Sequence, residues 1–154
     1  MKQIENKRGT MAVAKHAMVT SAWPLVTKAG LEVLKADGNA MDAYIAAVIM
    51  EQVAAPGTTS LAGPMGLLYY DAKTKKTYYL DAGFNIPKNG LGAFNFEKDQ
   101  TTGKSVLIPG TVAGLEAASK RFGRLPFKNL FGPGIRAART GFKMNRNIVE
   151  VQRQ

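Results

Sequence analysis

Side chains that commonly carry catalysis are scarce in this sequence. It contains no cysteine and a single histidine, His16, among 154 residues. The lack of cysteine excludes disulfides and thiolate chemistry. One histidine disfavours both a Ser–His–Asp arrangement and a zinc site built from several histidines. We interpret His16 as the end of a short strand, and we assign no catalytic residue, no metal ligand and no cofactor to this chain.

A glycine-rich stretch and one pair of carboxylates are the remaining features that suggest chemistry. The stretch at residues 63–66 is Gly-Pro-Met-Gly, and no Gly-Lys-Ser or Gly-Lys-Thr follows it. It therefore lacks the residues that define a phosphate-binding loop. Asp71 and Asp81 are spaced carboxylates, but they flank a predicted hairpin. The residues alone indicate an α+β domain without an assigned activity.

Residues 37–71 predict the element around which the rest of the chain packs. Asn39 is a good N-cap, and Asp42 can return a bond to the N–H of that cap. Residues 40–53 are apolar or small on nearly every side, which is typical of a helix buried between layers. Nearly complete burial is expected for four of its side chains: Tyr44, Ile45, Val48 and Ile49.

Periodicity and turn residues predict the other elements. An antiparallel hairpin is expected from residues 67–71 and 77–81, with short strands at 11–14, 17–20 and 106–108. Further helices are expected to begin near Pro24, Thr111, Pro126 and Pro133, and no element is expected in residues 1–8. Since no linker or repeat divides the sequence, we predict that residues 1–154 form a single domain.

The overall composition is ordinary for a globular protein, with 45% hydrophobic and 21% charged residues. The N-terminus shows no secretory signal pattern. The apolar helix is shorter than the roughly 20 residues that span a bilayer. We therefore expect a cytoplasmic protein without a membrane partner, and export is left open.

The charge is uneven along the chain. The net charge is +10, and residues 120–154 contain nine Lys or Arg against one acid, Glu150. Such a region could face nucleic acid or an acidic protein surface. The aromatic residues there alternate with Gly and Leu like core anchors, which disfavours nucleic acid. A solvated or partner-facing surface is the preferred interpretation.

Several sequence blocks, taken in order, resemble the N-terminal part of the γ-glutamyltransferase family. Residues 37–43 read Asp-Gly-Asn-Ala-Met-Asp-Ala, and residues 108–115 read Ile-Pro-Gly-Thr-Val-Ala-Gly-Leu. Residues 121–127, Arg-Phe-Gly-Arg-Leu-Pro-Phe, and 135–138, Ile-Arg-Ala-Ala, continue the likeness. The order and spacing match the family from about residue 10 to residue 147.

The resemblance implies part of an αββα N-terminal-nucleophile hydrolase sandwich with a central buried helix. In that family a precursor is cut into two chains, and a threonine becomes the first residue of the small subunit. Its hydroxyl attacks the substrate carbonyl, with its own α-amino group as base. This chain would match the first part of the large subunit, with the Thr-initiated small subunit as its partner. The implied substrate is a small amide or amino-acid-like molecule.

Two departures from the family pattern concern the acyl pocket. The family typically has an arginine in an Asp-Gly-Arg-Glu segment, where it binds the α-carboxylate of the glutamyl group. Here residues 81–87 read Asp-Ala-Gly-Phe-Asn-Ile-Pro, which puts Gly83 at the arginine position. The resemblance thus implies three substrate-binding residues: Gly83, Phe84 and Asn85. Asn85 could contact substrate or bond its own backbone. In the second departure, Pro64 and Met65 reshape the family's polyglycine loop.

Two functional hypotheses follow. The first is the non-nucleophile chain of a γ-glutamyltransferase-like amide hydrolase or acyltransferase that uses an acyl group other than ordinary γ-glutamyl. The second is an inactive truncated fragment, or a partner-binding scaffold that uses its basic C-terminal face. Only the first requires a companion chain beginning with threonine. Under it, the isolated chain is expected to be inactive.

Overall fold

The protein has an α+β structure in a computed structural model that describes residues 3–6, 9–90, 92–144 and 149. Within those ranges the strands are β1 (Gln3–Asn6), β2 (Gly9–Ala12), β3 (Met65–Asp71) and β4 (Lys76–Ala82). The α-helices are α1 (Pro24–Lys35), α2 (Ala40–Ala54), α3 (Phe96–Asp99), α4 (Thr111–Phe122) and α5 (Gly132–Thr140). Two 3₁₀ turns lie at Gly103–Ser105 and Phe127–Phe131. None of the helices in these ranges combines the length and apolar character that membrane crossing requires.

Helix α2 is the centre of the packing, as predicted. It contacts α1, α4, α5 and the Phe127–Phe131 turn, which explains why its apolar residues are not confined to one face. Ile45 and Ile49 are buried, and Leu115 and Leu130 pack with them in the core. Tyr44 and Val48 are only half-buried, so the prediction of nearly complete burial was wrong for these two side chains. Both side chains lie where α2 borders a cavity.

The N-terminus of α2 is closed by the predicted capping box. Asn39 Oδ1 accepts from the Asp42 N–H at 3.0 Å, and Asp42 Oδ2 accepts from the Asn39 N–H at 2.9 Å. Asp42 is fully buried and also accepts from the backbone N–H groups of Arg124 at 3.1 Å and Leu125 at 3.2 Å. The Asn39 amide donates to the Phe122 carbonyl at 2.6 Å. One capping box therefore fixes the end of α4 against the start of α2.

Strands β3 and β4 form the predicted antiparallel hairpin, in a register that pairs Leu67 with Leu80 and Tyr69 with Tyr78. These side chains face the protein, where the rings of Tyr69 and Tyr78 lie 4.5 and 5.0 Å from that of Phe122. The side chains on the other face are exposed, as expected from the alternation of a strand. Helix α4 packs against β4, and this contact positions the region that follows the strand.

The predicted short strands at 11–14, 17–20 and 106–108 were wrong in most of their residues. Strand β2 ends at Ala12, and residues 13–20 form no strand. Residues 106–108 contribute one bridge, from Ile108 to Asn85. Strand β1 falls in a segment for which no element was expected. Apolar β-branched runs specify strands only when a partner is aligned beside them, and Val19 instead packs against Gly30 of α1.

Most of the predicted helices agree closely with the structure, but the one expected near Pro126 is the 3₁₀ turn Phe127–Phe131. Helices α1, α4 and α5 begin near the predicted proline or threonine positions. Gly141 ends α5 with a positive φ of 75°, a conformation that glycine adopts without strain. Gly123 ends α4 in an extended conformation, with φ −71° and ψ 160°. It is glycine for a different reason: a Cβ there would lie 2.9 Å from Asp42 Oδ1.

Candidate functional site

The three predicted substrate-binding residues lie together beside a cavity of about 340 Å³. Gly83, Phe84 and Asn85 directly follow β4, and the opposite wall is the start of α4, including Gly110 and Gly114. The structure thus brings these three residues to one cavity, which we call the acyl cavity. Their role in substrate binding is not tested by this arrangement and stays a prediction.

Local hydrogen bonds turn the chain away from the sheet at this point. Asp81 Oδ1 accepts from the Gly83 N–H at 2.9 Å, a side-chain bond that shapes the turn. Two residues later, Asn85 and Ile108 exchange backbone bonds of 2.9 and 2.8 Å. This bridge holds Gly83 and Phe84 over the first turns of α4. The conformation of the cavity wall is therefore set by the Asp81 side chain and by the backbone bridge between Asn85 and Ile108.

Two glycines allow α4 to lie directly against the end of β4. A Cβ on Gly110 would overlap the carbonyl oxygens of Ala82 and Gly83. A Cβ on Gly114 would overlap the Ala82 side chain and lie 2.8 Å from Met65 Cε. The two glycines are four residues apart and so share one helix face. This spacing was visible in the sequence, and it is the signal that could have identified the close helix–strand contact.

Substitution of Gly110 with alanine is expected to destabilise the protein by about 3 kcal/mol, at the upper end of overpacking effects, because backbone atoms must move. The free energy of unfolding from urea denaturation measures this loss. Gly103→Ala is the matched control, since a Cβ at that position meets no atom within 4 Å. Equal stability of the two variants would contradict the close packing of α4 on β4.

The side chains of Phe84 and Asn85 are exposed at the cavity rim. The Asn85 backbone is fully used in the bridge to Ile108, while its side chain makes no hydrogen bond within the described ranges. Bonding of the Asn85 side chain to its own backbone, the alternative role, is therefore not observed there. The amide is available to an incoming group.

The electrostatic character of the acyl cavity is acidic. Of the described residues that line it, only Asp81 is ionisable, and its side chain is exposed. No lysine or arginine is among these lining residues. A carboxylate entering the cavity would meet a like charge and no bidentate cation.

The glycine-rich loop is fixed to the other side of the α4 N-terminus. The Thr111 hydroxyl donates to the Gly63 carbonyl at 2.7 Å, and the Thr111 N–H donates to the same oxygen at 3.2 Å. Thr111 is buried, so both bonds are shielded from water. Sequence reasoning identified this residue as a helix start and missed its role as the anchor of the loop.

His16 takes no part in this region. Its side chain is exposed, and it makes no hydrogen bond to any residue of the described ranges. The residue lies in the stretch between β2 and α1 that forms no strand, so its interpretation as a strand end was wrong. No hydroxyl in the described part of the chain has an imidazole beside it as a base.

Comparisons with known proteins identify close similarity over most of the chain. The profile of the family described as gamma-glutamyltranspeptidase matches residues 26–154. The glutathione hydrolase proenzyme of Bacillus subtilis (strain 168) is 34% identical over 148 residues, which is 90% of this chain and 25% of that protein. The chain thus spans about a quarter of the length of this curated relative.

Solved structures agree with the sequence comparisons. A gamma-glutamyltranspeptidase from Pseudomonas nitroreducens matches with a TM-score of 0.79 and 28% identity, over 92% of this chain and 44% of that chain. The Helicobacter pylori gamma-glutamyltranspeptidase matches with a TM-score of 0.81 and 25% identity, over 93% of this chain and 43% of that chain. Cephalosporin acylase from Bacillus halodurans, at 22% identity and a TM-score of 0.73, shares the fold.

Proposed function

Because the chain belongs to the γ-glutamyltranspeptidase family, we propose that it is the non-nucleophile part of an amide hydrolase or acyltransferase. The nucleophile is a threonine at the start of a companion chain. Its hydroxyl oxygen bonds to the substrate carbonyl carbon, the C–N bond breaks, and the hydroxyl proton passes to the leaving amine. Water or a second amine then takes the acyl group from the threonine ester. The match over residues 26–154 is the observation that carries this proposal.

The hairpin supports the proposed αββα sandwich. Its outer face exposes large apolar side chains, with Leu68 72% and Tyr79 68% exposed. A two-stranded hairpin with one apolar face in water is marginal by itself. A second sheet from the companion chain would cover this face and complete the sandwich. The chain's own α2 would then be the central helix of one layer.

The proposed substrate is a small amide or amino-acid-like molecule whose acyl group differs from ordinary γ-glutamyl. The acidic acyl cavity supports this choice, since Asp81 is its one ionisable lining residue among those described. Gly83 supplies no cation for an α-carboxylate, and Asn85 offers a neutral amide at the rim. Membership of the family therefore does not carry glutathione over to this chain as its substrate.

The second hypothesis, a partner-binding scaffold, requires a free basic face in the region 120–154. Contacts within the described residues weaken this hypothesis. Four of the basic side chains from the region 120–154 make internal contacts. Arg136 pairs with Glu32, and Lys120 pairs with Glu116 at 2.6 Å. The Arg121 guanidinium stacks on the Tyr78 ring, and Arg124 donates to the Asp37 carbonyl at 3.1 Å. Arg146 and Arg153 lie outside the described residues. Lys120 and Arg136 remain 74% and 59% exposed, so these contacts reduce the unpaired charge of the basic face without covering it.

The isolated 154-residue chain is expected to show no amidase or transferase activity, because no described hydroxyl has a neighbouring imidazole and the proposed nucleophile belongs to the companion chain. It is also expected to self-associate through the exposed hairpin face. Activity is expected only when the chain is produced with the Thr-initiated companion. Acyl transfer from a panel of amides, together with molar mass from light scattering, measures both expectations.

Replacement of the companion's first threonine by alanine is the control, since it removes the nucleophile and leaves the assembly intact. A monodisperse monomer that turned over amides by itself would contradict the proposal. So would an assembled complex whose activity survived the threonine replacement.

A further inference from the structure

The surface of the acyl cavity is apolar at most positions. Of the described residues that line it, only Asp81 and Asn85 have a polar side chain. The other lining residues are glycines and five residues with hydrocarbon side chains: Leu80, Ala82, Phe84, Ala113 and Ala117. Such a surface favours apolar ligand atoms, because removing them from water is favourable. The proposed function requires an acyl group that differs from γ-glutamyl and leaves its chemistry open.

The cavity extends along two turns of α4. Gly110, Ala113 and Ala117 line it from one helix face. At 1.5 Å per residue, the first and last of these positions are about 10 Å apart along the helix axis. Ala113 and Ala117 are exposed, so no other part of the described chain fills the space beside them. The cavity is therefore elongated, and it can accommodate a chain of several carbon atoms.

Exposed apolar side chains also lie beside the cavity. Phe84 lines it, Ile86 follows Asn85 in the chain, and Ile108 is held opposite Asn85 by the backbone bridge. Phe84, Ile86 and Ile108 are all large hydrophobic side chains that the described chain leaves exposed. A single exposed apolar residue is ordinary, but several beside one cavity are typical of a binding site. They favour a ligand that is apolar along its length.

The carboxylate of Asp81 is already used in the fold. Its Oδ1 atom accepts from the Gly83 N–H at 2.9 Å, and the side chain is exposed. A pair between a ligand ammonium group and an exposed carboxylate changes affinity by at most about fivefold. A ligand carboxylate would be repelled by Asp81. Asn85 is neutral, so neither charge on the acyl group is strongly favoured by the polar side chains of the cavity.

Burial of apolar atoms is the larger effect. Each methylene that is removed from water raises affinity by a factor of about four. Three buried methylenes thus raise it roughly sixtyfold, which is an order of magnitude more than the exposed pair with Asp81 contributes. An uncharged hydrocarbon chain consequently gains more from this cavity than a chain that ends in a charged group.

We propose that the acyl cavity selects an unbranched aliphatic acyl group, so that the substrate is an amide of a short fatty acid. Phe84 is the specificity-determining residue at the cavity rim, and Ala117 limits the length of the chain. The hydrocarbon chain lies between α4 and the end of β4, out of water. This inference rests on the proposed function, which brings an acyl group to the cavity as part of an amide.

The test measures binding of simple carboxamides to the 154-residue chain by saturation-transfer difference NMR. This method observes the ligand, so it applies to a self-associated chain as well as to a monomer. Propanamide, butanamide, pentanamide and hexanamide differ by one methylene each, and the Kd should fall about fourfold with each addition. L-Glutamine has the same carbon chain as pentanamide but ends in an ammonium and a carboxylate. Its Kd should be at least about tenfold higher, because those charges must stay hydrated.

Two cavity variants locate the binding. Phe84→Ala should raise the Kd of pentanamide at least about threefold, since contact with roughly one methylene is lost. Phe96→Ala removes an equally exposed phenylalanine outside the cavity and should leave the Kd unchanged. Ala117→Leu should abolish the gain from pentanamide to hexanamide and leave propanamide binding intact. Ala138→Leu, at an exposed alanine of α5, is its control.

The proposal is overturned if no carboxamide binds saturably, or if the Kd does not depend on chain length. Equal binding of L-glutamine and pentanamide would also overturn it, as would cavity variants that behave like their controls. Both substituted cavity residues are exposed, so their replacement should not prevent folding. No amide is cleaved in this experiment, so its failure leaves the proposed acyl transfer to its own test. An assembled complex without amidase activity would refute the proposed function and would not change these affinities.

Discussion

Replacement of Asp42 with alanine is expected to lower the free energy of unfolding by at least about 3 kcal/mol. The variant leaves the backbone N–H groups of Asn39, Arg124 and Leu125 without their carboxylate acceptor. An unpaired buried donor costs about 1–3 kcal/mol, and these three part-buried N–H groups face a carboxylate that is fully buried. Since whole domains are stable by only about 5–15 kcal/mol, this one change approaches the limit for folding. Urea denaturation followed by circular dichroism measures it.

Asp37→Asn and Asp42→Asn form the matched pair for this test. Both lie at the entrance to α2, but Asp37 is exposed and has a positive φ of 64°, which asparagine tolerates well. The change at Asp37 should therefore be close to neutral. At Asp42 one of the two oxygens becomes an N–H donor that faces backbone donors. Equal stability of the two asparagine variants would refute the clamp at Asp42.

Asp42 also shows how much of the fold was visible in the sequence. The capping box is a local pattern, so Asn39 and its reciprocal bonds with Asp42 could be predicted from four residues. The bonds to Arg124 and Leu125 join positions 82 and 83 residues apart, and no local rule identifies them. Helices were predicted well because propensity, caps and prolines act over short distances.

Strands were predicted less well because a strand requires a partner. The hairpin of β3 and β4 was predicted correctly because a short polar loop joins its two strands. Both strands also alternate between inward and outward side chains, and they pair in register. Residues 17–20 have a similar apolar, β-branched composition, but no strand in the described ranges lies beside them. The extent of β-structure in residues 106–108 depended on Asn85, which is 23 residues away from Ile108.

The candidate site, like the fold, could be predicted from the sequence only in part. The family resemblance was needed to place three residues, Gly83, Phe84 and Asn85, in one substrate-binding site. Nothing in their composition indicates a cavity. The contribution of Gly110 could have been found from the sequence, since a glycine pair at a spacing of four marks a close helix contact. The bond from Thr111 to Gly63 could not, because the two residues are 48 positions apart and meet only through the tertiary fold.

The substitution Gly83→Arg, which restores the family's arginine, is expected to change the substrate preference of the assembled complex strongly. The unmodified complex should hydrolyse γ-glutamyl anilides poorly, because a lost charge-assisted pair costs about 2–5 kcal/mol, or a factor of tens to thousands. The structure has room for the change. A Cβ on Gly83 lies 3.0 Å from Asp81 Oδ1 and 3.9 Å from Asp81 Cγ, and this exposed side chain can shift at the cost of its bond to the Gly83 N–H.

Selectivity is the quantity to measure, since a stability change alone would not alter it. The ratio of kcat/KM for γ-glutamyl anilide to that for γ-aminobutyryl anilide, which lacks the α-carboxylate, should rise at least about tenfold in Gly83→Arg. Gly103→Arg adds the same charge at an open position outside the acyl cavity and should leave the ratio unchanged. High activity of the unmodified complex on γ-glutamyl anilide, or a ratio insensitive to Gly83→Arg, would show that the carboxylate is bound by other residues. In that case Asp81 and the bare glycine would not determine the specificity of the cavity.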